Sequence, residues 1–114
     1  MANAFKSETD TGIGTSPATL YTCPASTETT VIGLTCANIA TSQIEIDVQL
    51  DASGRTSGAE DSVYIIKSAP IPVGSSLVVV GGEQKIVLEP GDAIKVTSNT
   101  AASADAAMSV LEIS

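Results

Sequence analysis

The sequence predicts an all-β chain, a single-domain antiparallel β-sandwich of jelly-roll-like form with about eight strands. Three observations predict it. Leu77 to Val96, LVVVGGEQKIVLEPGDAIKV, holds three apolar runs parted by two turn signals, with no room for a helix between them. Gln43 to Asp51 alternates without a fault: Ile44, Ile46, Val48 and Leu50 point one way, Glu45, Asp47, Gln49 and Asp51 the other. No segment sustains a 3.6-residue apolar period, while Thr and Ser are abundant.

A length of 114 residues suits one domain, residues 1–114. Hydrophobic residues make up 43% but aromatic ones only 3%, so Val, Ile, Leu and Ala must fill the core. That composition favours thin packed sheets over a large ligand cavity.

Residues 1–18 read as an extended N-terminal arm carrying a short strand, Phe5 to Asp10, which Gly12-Ile13-Gly14 and the Ser16-Pro17 break bring to an end. Thr19 to Cys23 is a short strand stopped by Pro24. Thr29 to Asn38 is longer, with Ile32, Leu34 and Cys36 expected on one face and Val31, Gly33 and Thr35 on the other. The strand Gln43 to Asp51 belongs to a sheet with one wet face. Asp51 to Asp61, DASGRTSGAED, lacks an apolar anchor and is expected to be the exposed, most mobile loop. Val63 to Lys67, Ser76 to Val80, Lys85 to Leu88 and Ala93 to Ser98 follow as strands, with Pro70 and Pro72 confining Ala69 to Val73 to a corner or an edge. Asn99 to Asp105 is a small-residue turn, and Met108 to Ile113 closes the domain.

The turns are specific. Gly81-Gly82 suits the positive φ angles of a tight hairpin. Pro90 presets φ, Gly91 relieves strain, and the Asp92 side chain bonds the turn backbone. The expected product is a β-meander of three consecutive antiparallel strands.

Five Lys and Arg against 13 Asp and Glu give a formal charge of −8, which repels phosphate backbones and anionic membrane surfaces. With no aromatic-basic interleaving, nucleic acid is not an expected partner. MANAFKSETDTG has no continuous apolar core of a signal peptide, and no later run approaches the ~20 apolar residues of a spanning helix.

Catalytic chemistry finds few residues. Histidine is absent, which removes the commonest general base near neutral pH and the commonest metal ligand. Serine and cysteine nucleophile templates lack their imidazole, and neither a Walker A loop nor a dinucleotide glycine fingerprint is present. Acids are plentiful, but a glycosidase sets its carboxylates across an aromatic-lined cleft, and the only rings are Phe5, Tyr21 and Tyr64. Cys23 and Cys36, thirteen positions apart on strands read as neighbours, suit two small buried hydrophobes; a bridge is neither required nor excluded. Asp51, Glu60 and Asp61 offer oxygen ligands to calcium but match no EF-hand spacing. No catalytic residue, cofactor or metal is assigned. Arg55, the one arginine, sits in the acidic loop with Glu60 and Asp61 and marks the candidate partner-contact loop.

The corner Leu88-Glu89-Pro90-Gly91-Asp92 resembles the Pro-Gly-Asp turn of cupin barrels, although cupin metal binding needs histidines that this chain lacks. A wider resemblance runs through most of the chain. Leu20-Tyr21-Thr22-Cys23-Pro24-Ala25, Thr30 to Asn38, Ile86 to Ile94 and Ser109 to Ser114, in that order, resemble a family of small tailed-bacteriophage virion proteins. That resemblance implies a non-enzymatic structural protein of the virion that decorates and stabilises the capsid shell, a cement protein. It would be assembled in the host cytoplasm, bind the major capsid protein through loops and a sheet edge, and form a homo-oligomer such as a trimer. A tail, baseplate or fibre module binding tail proteins is the alternative. A carbohydrate-binding sandwich is a third, disfavoured because sugar binders stack on exposed aromatic rings.

Overall fold

Strands that alternate apolar and polar side chains have one face to hide, and here two sheets close over those faces. The computed structural model describes residues 3–114, and all strand pairs among them are antiparallel. The strands are β1 (Asn3–Ile13), β2 (Ala18–Thr22), β3 (Glu28–Asn38), β4 (Ile44–Asp51), β5 (Val63–Ile71), β6 (Ser76–Val80), β7 (Ile86–Leu88), β8 (Ala93–Ser98) and β9 (Ala104–Ile113). Sheet A has the order β1-β9-β3-β6, with β7 also on β3; sheet B has the order β2-β8-β4-β5. With β6 and β7 counted as one interrupted edge, the order is that of an eight-strand jelly roll, the chain passing back and forth between its two sheets.

Ile44, Ile46 and Val48 are fully buried as the alternation predicts, while Leu50 is half-buried and Glu45 exposed. Leu34, Ile71, Leu88, Ile94, Met108 and Val110 complete the interior, which is mainly aliphatic, with Tyr21 its aromatic residue and Cys23 and Cys36 its thiols.

Several sequence expectations are corrected. Asn3–Ile13, most of the stretch expected as an arm, is an eleven-residue edge strand paired to β9; residues 1 and 2 lie outside the described residues. The meander over Leu77 to Val96 does not form. β6 pairs with Leu34–Ala37 and β7 with Thr29–Val31, so the two run in the same direction end to end along β3, and β8 then crosses to sheet B. Only Gly82 of the glycine pair takes a positive φ, 63°, so Gly81-Gly82 opens an outward loop instead of a hairpin. The long β3 offers hydrogen-bond partners to both segments, and this non-local pairing outcompetes the local turn.

In β3 a bulge between Val31 and Gly33 switches the inward face, so Thr29 and Val31 are buried on one side of it and Leu34, Cys36 and Asn38 on the other. Ile32 is therefore not on the inner face with Leu34. β5 continues through Pro70 to Ile71, tolerated because β5 pairs only with β4 and its other edge is free. β9 starts at Ala104 and not at Met108, since β3 runs on to Asn38 and pairs it there.

The cysteines are not on neighbouring strands. Cys23 follows β2 of sheet B and its Sγ lies 3.2 Å from the Thr29 hydroxyl, whereas Cys36 is seven residues further along β3. At ~3.3 Å per residue they are roughly 20 Å apart, beyond any bridge within the chain. Both are free and buried, and burial pushes the Cys36 thiol up to about 12.

Candidate interaction surface

The outward face of sheet A is built by register. Phe5, Leu111, Thr30 and Val87 form one row across four strands. Ser7, Ser109 and Gly33 form the next, and Thr9, Ala107, Thr35 and Val78 the third. These three rows hold no ionisable side chain, on a chain of net charge −8. Phe5, Val87 and Val78 are 78%, 61% and 64% exposed, so apolar surface is left in water at both margins of the face. Small residues at the third row leave a recess of about 490 Å³ lined by Thr9, Asp10, Thr11, Thr35, Ala37, Asp105, Ala106 and Ala107, so two carboxylates stand at its far end.

The outward face of sheet B is charged and paired within itself. Lys67 Nζ lies 3.1 Å from Asp47 Oδ2 and 4.6 Å above the Tyr64 ring, and Lys95 Nζ lies 2.7 Å from Asp51 Oδ2. The Lys95 ammonium, with the Ser53 and Ser62 hydroxyls and the Ser53 N–H, holds the Asp51 carboxyl far below the usual range.

Loop 52–62 is tied down. Arg55 reaches the Pro90-Gly91-Asp92 corner, where Nε and Nη2 donate to the two Asp92 oxygens at 2.9 and 2.8 Å and Nη1 lies 3.3 Å from Glu89. Thr56 N–H donates to the Pro90 carbonyl at 2.9 Å. Burial of Asp92 would raise its pKa, but Arg55 and the Glu89 N–H keep it below the ordinary value. Gly91 has φ +93°, and a Cβ there would lie 2.0 Å from the Gly54 carbonyl oxygen. The corner is thus a clasp that only glycine permits. Arg55, with a side chain 16% exposed, is held inside this clasp, while Glu60 and Asp61 are exposed nearby. Glu60 shares a shallow polar recess of about 270 Å³ with Arg55 and Glu89; Asp51 is engaged by Lys95 instead of joining Glu60 and Asp61 around a cation. No group of three or more metal-ligating side chains occurs among the described residues.

A buried polar chain joins the sheets at this end. Lys6 Nζ lies 3.1 Å from Glu112, Glu112 accepts from the Tyr21 hydroxyl, and the hydroxyls of Tyr21 and Thr29 are 2.9 Å apart. Burial first, and the Glu112 carboxylate second, raise the Tyr21 phenol strongly; the Tyr21 bond holds Glu112 low.

Sequence reading missed the sheet A face because its residues come from β1, β3, β6, β7 and β9, and only their register places them in rows. The one local signal was the pair of small residues Ala107 and Ser109 at alternate positions in β9.

No protein-family model matches the chain, and no curated protein matches it in sequence. Among solved structures a similar fold occurs in a chain of Bacillus endospore appendages, described as forming a novel family of disulfide-linked pili. The TM-score is 0.54 at 14% identity, over 99% of this chain and 87% of that one. At this identity the likeness is one of fold.

Proposed function

We propose that this protein is a non-enzymatic structural subunit of an ordered protein assembly. The observation that carries the reading is the uncharged middle of sheet A's outward face, where exposed Phe5, Val78 and Val87 contrast with the self-paired charges of sheet B. Shallow contacts of this kind, repeated over many copies, add by avidity. A fold shared with a pilus subunit supports membership of such an assembly.

The finer reading is a capsid decoration protein that binds the major capsid protein of a virion and is assembled in the host cytoplasm; the motif order from Leu20 to Ser114 supports it. A second reading, a fibre built from copies of this chain, is favoured by the fold likeness. Such a fibre would be held without disulfides between copies, because Cys23 and Cys36 are 2% and 0% exposed.

Purified protein should be imaged by electron microscopy alone and after incubation with undecorated capsids, and the decorated shells heated. Saturable binding that raises the temperature of shell disruption supports decoration, and ordered filaments from the protein alone support the fibre. A protein that does neither overturns the structural reading.

A further inference from the structure

We infer that the outward face of sheet A is a self-complementary contact through which two copies of this chain pack face to face about a two-fold axis along the Ser7–Ser109–Gly33 row. The inference rests on the structural-subunit reading and names the partner for that face.

The face carries a ridge and a recess on opposite sides of the middle row. The ridge is the row Phe5–Leu111–Thr30–Val87, and the recess lies at Thr9–Ala107–Thr35 in the third row and runs on past it to Asp10 and Asp105. A two-fold axis lying across the strands reverses strand direction but keeps strand order. It therefore sets Phe5 over Thr9 and Leu111 over Ala107 of the other copy, large residues over small ones, and brings the exposed Val87 and Val78 together as an apolar pair. Because the contact is isologous, the same match occurs twice and the assembly closes as a dimer. Sheets pack at ~10 Å when large and small side chains interdigitate in this way.

Charge favours a second copy at this face, and size limits the strength of the contact. Four strands at ~4.8 Å spacing and the five residues from the first row to the third at ~3.3 Å give about 300 Å² per copy. The total of about 600 Å² is below the standard size of specific interfaces and fits a weak, reversible dimer. Two copies of charge −8 repel each other, and the three uncharged rows are where they meet at least cost. Two of the four sheet edges are guarded instead: β1 carries Lys6, Glu8 and Asp10, and β5 carries Lys67, the left-handed Ser68 and Pro70.

The test uses sedimentation over a concentration series with wild type, Ala107→Arg and, on the outward face of sheet B, Gln49→Arg. Wild type should dimerise, more strongly at higher salt as repulsion is screened. Ala107→Arg should weaken dimerisation about tenfold or more, and Gln49→Arg should not. Ser109→Cys, on the axis, should form covalent dimers with a short bis-maleimide, whereas Gln49→Cys should not. Thermal melting confirms that each variant is folded. A monomeric wild type, or equal cross-linking from both faces, overturns the inference. If that happens while the protein still binds capsids or forms filaments, the structural reading stands and only this face is wrong.

Discussion

The two sheets turn opposite surfaces to the outside. Sheet B shows Glu45, Asp47, Gln49 and Asp51 with Lys67 and Lys95, each lysine paired to an acid on its own sheet. Sheet A shows in its three middle rows Phe5, Ser7, Thr9, Ala107, Ser109, Thr30 and Thr35, without a charge among them, and Asp105 only beyond them. Inside, both sheets bury mainly aliphatic side chains. The difference teaches that the outward residues are not dictated by folding: one face is charged and the middle of the other is not, while monomer stability resides in the core and in the ties between the sheets.

That comparison breaks most visibly if the ties are cut. Gly91→Val puts a side chain into the Gly54 carbonyl and a branched residue at φ +93°. It should cost roughly 3 kcal/mol or more and lower the melting temperature by more than about 10 °C. An unchanged melt would show that the clasp contributes nothing.

Titration separates ties from faces next. Asp51, Asp92 and Glu112 all have folded pKa values below their ordinary ones. Their stabilisation is fully present above the unfolded values near 4 and drains away as pH falls through the folded ones. Tyr21 and Cys36 are raised, so their contribution is present below about pH 9 and is lost as pH climbs through the folded values. Melting temperature against pH should therefore be flat between about 5 and 9 and fall on both sides. A melt that stays level down to pH 2 would contradict the assigned acid pairs.

Tyr21→Phe removes the hydroxyl that links sheet B to Glu112 and Thr29 of sheet A. Chemical denaturation should register a loss of about 1 to 2 kcal/mol, and the alkaline limb of the pH profile should move, because the raised phenol is gone. No shift in that limb would mean that another group governs it.

The smallest effect belongs to the charged face. Asp47→Asn breaks the exposed Lys67 pair and should move the melting temperature by no more than about 2 °C. A larger drop would mean that sheet B's outward charges hold the fold together, and the contrast between the faces would need another explanation.

The sequence by itself determined what local patterning controls. Period-two alternation placed Ile44, Ile46 and Val48 inside, the aliphatic composition set the all-β class, and Pro90-Gly91-Asp92 specified a strained corner. These depend on a residue and its near neighbours, through the pleat and through allowed φ angles. Tertiary structure decided the pairing. β6 and β7 joined β3 instead of each other, the bulge after Val31 reversed which side chains face inward, Arg55 found Asp92 across 37 positions, and Cys23, just past the end of β2, came to lie far from Cys36 in β3. The rows of sheet A follow from the same cause: hydrogen bonding between distant strands fixes register, and a single strand carries no record of what lies beside it.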